Sequence, residues 1–162
     1  MKIPLNNKIF AWYIHRGVIL TKDNLIKSNW HGSSQCAFCH HDERIKHLFF
    51  QCKLAWSISS VIQIASDLYS PYSVANVFGN WLHGIDHGFR TLLRVGALAV
   101  IWLLWLCRND KVFNDKSTSL MQVIYRCTWT LCLWSSLQRV ENRDLMSTMQ
   151  LYCCGLMLGL QA

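Results

Sequence analysis

The feature that most constrains this chain is a closely spaced group of three cysteines and one histidine: Cys36, Cys39, His47 and Cys52. The Cys36-x2-Cys39 pair lets one tight turn direct two sulfur atoms at a common point, and a histidine with a third cysteine completes a tetrahedron. Sulfur and imidazole ligands without a carboxylate favour zinc over magnesium or calcium. Because protein atoms would fill all four positions, the sequence predicts one structural Zn²⁺ ion and no catalytic metal.

The cysteine pair has two other interpretations, a redox site and a pair of small buried residues. A redox Cys-x2-Cys normally lies at the turn from a strand to a helix. Here the pair follows the polar run at residues 32–35, with no buried strand before it, so zinc is favoured. His40 and His41 compete with His47 for the imidazole position. Either would leave a very short loop after Cys39, so His47 is preferred.

Further motifs surround this group on both sides. Within the first 56 residues they are Ile3-Pro4-Leu5, Lys8-Ile9-Phe10-Ala11-Trp12, Leu20-Thr21-Lys22-Asp23-Asn24-Leu25, Glu43, His47-Leu48-Phe49-Phe50-Gln51-Cys52 and Trp56. Later in the chain they are Ile101-Trp102, Trp105, Arg108-Asn109-Asp110 and Val112-Phe113. Together these motifs resemble the zinc-binding domain of reverse transcriptases in plant non-LTR (LINE-like) retrotransposons, over about residues 2–115.

The resemblance implies a retroelement-derived, zinc-binding chain that contacts RNA or DNA as an accessory to a reverse transcriptase. Two positions depart from the family pattern: Lys53 stands where proline is common, and Tyr13 occupies a commonly basic position. Neither is a predicted metal ligand, so neither affects the site. A structural or protein-interaction zinc module and a transposon remnant without present activity are the alternatives, and detection of transcript and protein would identify a remnant.

Composition and hydrophobic periodicity predict a mainly α-helical protein with a real core. Apolar residues make up 52% of the chain and charged residues 15%, which excludes a disordered chain. We expect a small Cys3His zinc module packed with short helices, followed by a helical C-terminal region of about two long helices. The predicted division is a zinc-binding module (1–66), a connecting segment (67–88), a helical extension (89–150) and an apolar tail (151–162).

Two short helices are predicted before the cysteine pair. The first spans residues 8–16 and stops at Gly17. Its inner side is predicted to consist of Ile9, Phe10, Tyr13 and Ile14. Thr21 is a candidate N-cap for the second helix, which ends at Lys27. Residues 29–41 are then expected to form the loop that carries the first two metal ligands.

The spacing of His47 and Cys52 constrains the local structure after that loop. Side chains five residues apart on a continuous α-helix point about 140° apart, so they could not both face one ion. We therefore expect His47 in a turn and Cys52 near the start of a helix that runs to about residue 66.

Two charged positions have structural interpretations. Glu43 could accept a hydrogen bond from the ring nitrogen of His47 that does not bind the metal, or it could balance the surface charges of Arg44 and Lys46. The sequence leaves both alternatives open. The Arg108-Asn109 pair is predicted to cap the C-terminal end of a long helix.

The C-terminal half is unusually apolar. Two long helices are predicted over residues 89–108 and 119–140, after a polar passage at 69–88. The uninterrupted apolar run at 95–107 is shorter than the roughly 20 residues that span a bilayer, so a core helix is predicted and membrane insertion is disfavoured. Four tryptophans on these helices could pack together or form a surface for a reverse transcriptase or for self-association: Trp102, Trp105, Trp129 and Trp134.

Positive charge is concentrated near the cysteines. The chain has a net charge of +7, and residues 1–53 carry eight Lys or Arg against three acidic residues. Such a field attracts nucleic-acid phosphates. The candidate phosphate contacts are Lys8, Arg16, Lys22, Lys27, Arg44, Lys46 and Lys53, with Lys2 beside them. Aromatic residues interleave with them, but we expect these to be mostly buried, including at least one of Trp12 and Tyr13.

No enzymatic activity is predicted. The chain has only nine acidic residues, and the one adjacent pair, Asp42 and Glu43, lies inside the cysteine loop. Polymerase, endonuclease and RNase H sites need several converging carboxylates. The polar start of the chain does not resemble a signal peptide, and three ligand cysteines leave an odd number of the eight. An intracellular location, in the nucleus or cytoplasm and not secreted, is therefore expected.

Overall fold

Helices make up all the regular structure of residues 3–66 and 68–137, which are the residues that the computed structural model describes. Six α-helices and one π-helical turn follow in the order α1 (Leu5–Arg16), α2 (Lys22–Lys27), the π-turn (His47–Gln51), α3 (Lys53–Ser66), α4 (Val74–Phe78), α5 (His87–Asn114) and α6 (Leu120–Ser136). Within these residues the only β-type pairing is an isolated bridge between Gln35 and Asp42. The mainly α-helical prediction is confirmed.

Helix α1 begins directly after Pro4, whose missing N–H is no loss at a helix start. The helix stops at Gly17, as predicted, and this glycine has the left-handed φ of 72° that is common directly after a helix. The residues that face the core are Asn7, Phe10, Ala11 and Ile14. The predicted inner face is wrong in two positions, because Ile9 and Tyr13 are 44% and 45% exposed. Apolar residues occur on every side of this helix, so periodicity alone could not select the buried side.

Helix α2 has the predicted bounds, with Thr21 at its N-cap position. Thr21 is fully buried, and its hydroxyl donates a 2.5 Å hydrogen bond to Asp23 instead of accepting one from the backbone. Between α2 and the π-turn, residues 29–46 form the predicted loop and contain no helix until the approach to His47.

The passage after α3 is more regular than predicted. Residues 69–88 include the short helix α4, whose first turn is capped by the Ser73 hydroxyl accepting from the Asn76 N–H at 3.1 Å. Val77 and Leu82 of this passage are almost completely buried. The passage therefore contributes to the core, although the sequence had predicted only a polar connecting segment.

Helix α5 is longer than predicted at both ends. It begins at His87, where the Asp86 carboxylate accepts hydrogen bonds from the Gly88 and Phe89 N–H groups, and continues through Arg108 to Asn114. Among the described residues it is the one helix long and apolar enough to cross a membrane by length and composition, and half of its most apolar window is buried inside the protein.

Helix α6 packs along α5, as the predicted helical hairpin requires. Trp134 is buried in the core, whereas Trp129 is 58% exposed on the outer side. The predicted end of this helix near residue 140 and the apolar tail at 151–162 lie outside the described residues.

One hydrophobic core joins the N-terminal helices to α5 and α6. The Phe10 ring of α1 contacts Trp102 of α5 with a centroid distance of 4.8 Å, and contacts Phe49 of the π-turn at 6.4 Å. The division into a zinc module and a helical extension stays a prediction, and this shared core positions the π-turn directly on α5.

Candidate metal centre

A short paired loop presents the first two cysteines. The Cys36 N–H donates to the His41 carbonyl at 2.8 Å, and the Glu43 N–H donates to the Ser34 carbonyl at the same distance. The Ser34 hydroxyl also donates to the Asp42 carboxylate at 2.8 Å. These bonds close the loop, and they hold residues 36–39 as a tight turn with both sulfurs on its inner side.

The π-turn supplies the other two side chains. The Cys52 N–H donates to the His47 carbonyl at 2.7 Å, which is the i→i+5 bond of a π-helix. Residues five apart are stacked in such a turn, as residues four apart are in an α-helix. The expectation of His47 in a turn and Cys52 near the start of a helix agrees with the structure, because His47 begins the π-turn and Cys52 directly precedes α3. The π-helical form of the turn was not predicted, and its greater width is what brings the two side chains together.

The four side chains meet at one point. Their ligand atoms, one from each of Cys36, Cys39, His47 and Cys52, all lie within 4.8 Å of one another. The Cys52 sulfur is 3.8 Å from that of Cys36 and 4.0 Å from that of Cys39. Two sulfurs bound to one tetrahedral zinc at about 2.3 Å would be about 3.8 Å apart. The distances between the sulfur atoms therefore match those of a tetrahedral zinc site.

Burial and protonation also fit a metal. Cys52 is completely buried, and Cys36 and His47 are nearly so. Burial lowers the pKa of His47, and the neighbouring His41 lowers it further, so the imidazole is neutral at pH 7 and has a lone pair for a metal. The hydrogen bond between Cys36 and Cys52 lowers the pKa of Cys52 and raises that of Cys36. A divalent cation bound here would displace the thiol protons of the cysteines, because thiolates are the ligands that bind zinc.

The rival histidines are not part of the cluster. His40 and His41 are exposed, and the ring of His41 stacks on the outer side of His47 with a centroid distance of 5.5 Å. The His47 Nε2 atom lies 3.1 Å from the Cys39 sulfur, so it is this ring that faces the cysteines. The preference for His47 over its neighbours agrees with the geometry.

Glu43 has neither of the two predicted roles. Its side chain is completely buried, and its Oε1 atom accepts hydrogen bonds from Nε and a terminal nitrogen of Arg108 at 3.0 and 2.8 Å. The same oxygen accepts from the Lys22 N–H at 3.0 Å. Arg108 is only 2% exposed and lies inside α5, so its predicted capping role is wrong. The pair connects the cysteine loop to α5.

Sequence reasoning missed this ion pair because the two residues are 65 positions apart. Each residue has oppositely charged or polar neighbours in the sequence, which suggested local roles. No local sequence pattern connects a carboxylate in a loop with an arginine inside a distant helix. The available signal was that both residues lie in the motifs that carry the family resemblance.

The basic side chains predicted to contact nucleic acid differ in their exposure to solvent. Six of the seven side chains are exposed, namely Lys8, Arg16, Lys27, Arg44, Lys46 and Lys53. Lys22 is partly buried, and its ammonium donates a 2.5 Å hydrogen bond to the Gln35 carbonyl, which ties α2 to the cysteine loop. Lys27 also forms an exposed ion pair with Asp23 at 3.6 Å.

Fold and site together define a helical protein with a Cys3His centre that fits zinc. Comparison of the sequence with known families gives a match over residues 1–58 to the family described as zinc-binding in reverse transcriptase. The matched segment contains all four cluster residues and ends in α3. No curated protein and no solved structure matches the chain.

Proposed function

We propose that this chain is a non-catalytic, zinc-stabilised module that contacts nucleic acid, RNA or DNA, as an accessory to a reverse transcriptase of a plant non-LTR retrotransposon. The match of residues 1–58 to the reverse-transcriptase zinc-binding family supports the association with that enzyme. The basic N-terminal region supports contact with phosphates, since eight Lys or Arg face three acidic residues there. One of those three, Glu43, is already neutralised by Arg108.

The outer face of α1 is the observation that carries the nucleic-acid proposal. We define this α1 face by Lys8, Trp12, Tyr13 and Arg16. Trp12 and Tyr13 are 54% and 45% exposed, so the expectation that one of them is buried is wrong. The Arg16 guanidinium lies over the Trp12 ring at 5.6 Å from its centroid, and Lys8 is four residues before Trp12. Exposed aromatic rings between cationic side chains are typical of surfaces that bind single-stranded nucleic acid.

Zinc has a structural role in this proposal. One ion bound by four protein ligands has no position for water, and so it holds the cysteine loop against the π-turn without activating a nucleophile. Thiolate ligands persist in a reducing environment, which supports an intracellular role in the nucleus or the cytoplasm.

Fluorescence anisotropy with a labelled single-stranded RNA across a salt series tests the proposal. We expect the zinc-loaded chain to bind, and its affinity to fall as salt rises. Trp12→Ala should weaken binding about tenfold, since a stacked base contributes about 1–3 kcal/mol. Tyr72→Ala is the control because this aromatic side chain is also exposed, at 67%, but lies after α3 and outside the basic N-terminal region. Absence of binding at low salt, or equal losses in both variants, would contradict the proposal.

The outer side of α6 favours a second candidate function, protein interaction. Residues at intervals of four along this helix and directly after it are large, apolar and 43–62% exposed: Tyr125, Trp129, Leu133 and Leu137. Such a stripe is suited to self-association or to contact with a reverse transcriptase. Light scattering should show a dimer that Trp129→Gln converts to a monomer. A monomeric wild-type chain would exclude self-association.

A further inference from the structure

An open cavity of about 320 Å³ lies beside the candidate metal centre. Four parts of the chain contribute to it. Phe38 comes from the turn between the two cysteines of the loop, Lys53 and Ser57 come from the first turns of α3, and Lys111 comes from the C-terminal end of α5. Ser117 and Thr118 of the α5–α6 connection complete the wall. We refer to it as the knuckle cavity.

The lining of the knuckle cavity is suited to an anion attached to a flat ring. It contains two ammonium groups and three hydroxyl groups, and none of the described residues that line it is acidic. Lysines and hydroxyls are common phosphate donors. The partly buried Phe38 adds an aromatic surface against which a base can stack. Protein ligand pockets usually measure about 300–1,000 Å³, so this cavity has room for a single nucleotide.

Both lysines are available for a ligand. Lys53 is exposed and begins α3. Lys111 lies 2.7 Å from the carboxylate of Asp115, but Asp115 is 91% exposed and the pair is an i,i+4 contact at the surface. Exposed pairs of this kind contribute little, so a phosphate can replace Asp115 as the partner of Lys111 at low cost.

We propose that the knuckle cavity holds one nucleotide of a single-stranded nucleic acid, with its phosphate between Lys53 and Lys111 and its base against Phe38. This inference rests on the proposed nucleic-acid function and gives it a defined site. It also gives a role to Lys111, which lies outside the segment that matches the zinc-binding family. The metal and the nucleotide would thus be neighbours, because the turn that carries Phe38 is held by Cys36 and Cys39.

Binding of labelled oligo(U) and oligo(dT) strands of about 12 residues to the zinc-loaded full chain tests the two lysines. Lys53→Gln and Lys111→Gln should each weaken binding about fivefold at 0.1 M salt, and each should lower the salt-dependence slope by about 0.7. Lys116→Gln is the matched control, because it also removes one positive charge, in the α5–α6 connection, from a residue that does not line the cavity. It should stay within about twofold of the wild type in affinity.

Strands that lack bases separate stacking from phosphate contact. Phe38→Leu should weaken binding to oligo(dT) about fivefold or more but leave binding to an abasic strand of equal length unchanged. Lys53→Gln should weaken binding to both strands. Zinc content and the melting curve of Phe38→Leu, if unchanged, show that the turn still folds.

The possible outcomes distinguish this inference from the function on which it rests. If the wild type binds and both lysine variants behave like Lys116→Gln, the knuckle cavity is not the site, while the α1 face remains a candidate. If the wild type binds neither strand at low salt, the nucleic-acid function itself fails. Equal losses for Phe38→Leu on normal and abasic strands would overturn the placement of the base.

Discussion

The cysteine loop and the α5–α6 helix pair are held together by different interactions. The loop has almost no regular structure, and its contacts are polar: a group of four ligand atoms, backbone hydrogen bonds and the Glu43–Arg108 ion pair. The helix pair is held by apolar side chains such as Leu104 and Val123, which are 1% exposed. The loop has the features of a region that depends on a metal ion, whereas the helix pair has those of a region that depends on hydrophobic burial.

Metal removal should separate the two regions most strongly. Structural zinc sites contribute an apparent binding free energy of about 10–16 kcal/mol, which the apolar contacts of a short loop cannot replace. A chelator should abolish hydrogen-exchange protection at Cys36, Glu43 and Cys52, while α5 and α6 keep most of theirs.

Two variants provide controls for metal removal. Cys52→Ser should lose zinc, whereas His40→Gln, at an exposed position beside the cluster, should retain one ion per chain. Metal analysis of the purified variants would measure this. Loop protection that survives chelation would show that the ion does not hold the loop.

The ion pair between the two regions should give the next largest effect. Arg108→Met leaves the Glu43 carboxylate buried without a counter-charge, so we expect a loss of about 3–5 kcal/mol in the free energy of unfolding. The double variant Glu43→Gln/Arg108→Met should recover much of that loss, because no charge remains buried.

Urea denaturation would measure these differences. Lys111→Met, which breaks an exposed pair, should cost less than about 1 kcal/mol. A loss in Arg108→Met no larger than that of Lys111→Met would show that the buried pair is not needed to join the loop to α5.

A cavity in the helix pair should destabilise the protein without releasing the metal. Leu104→Ala removes a buried side chain and should lower the free energy of unfolding by about 3 kcal/mol. Phe113→Ala, at a 72% exposed position of the same helix, should have almost no effect. Thermal melting would measure the stability, and metal analysis would measure the zinc content. Loss of zinc at 25 °C in Leu104→Ala would mean that the metal centre and the helix pair are not independent.

The smallest effect should come from the cap of α5. Hydrogen bonds from the Gly88 and Phe89 N–H groups lower the pKa of Asp86 below its usual range. A lowered pKa contributes stability above the unfolded value of about 3.9, and this contribution is lost as the pH falls through the folded value. Asp86→Ala should therefore melt slightly below the wild type at pH 7, and the two should converge in acid. A constant difference across that range would contradict the assignment.

Local spacing and long-range contacts differed in how well they could be predicted. The four ligand side chains of the cysteine loop and the π-turn lie within one short stretch of the chain, residues 36–52, so spacing alone was enough to group them. The bounds of α2 and the stop at Gly17 followed from capping residues in the same way. Arg108 could not be placed, because its partner is defined only once α5 packs on the loop. The prediction of the buried side of α1 was partly wrong for a related reason. Phe10 is buried and Ile9 is not, because Trp102 of the distant helix α5 packs against Phe10.

The Glu43–Arg108 contact has a practical consequence for anyone who would excise the matched segment. A fragment cut after residue 58 would keep every sulfur and the imidazole, but it would leave behind the guanidinium that neutralises its most deeply enclosed carboxylate. We expect the loop of such a peptide to open where that of the intact chain is closed, because this buried carboxylate would lose its counter-charge. A fragment that keeps the closed loop is therefore expected to extend through Arg108, in the second half of α5.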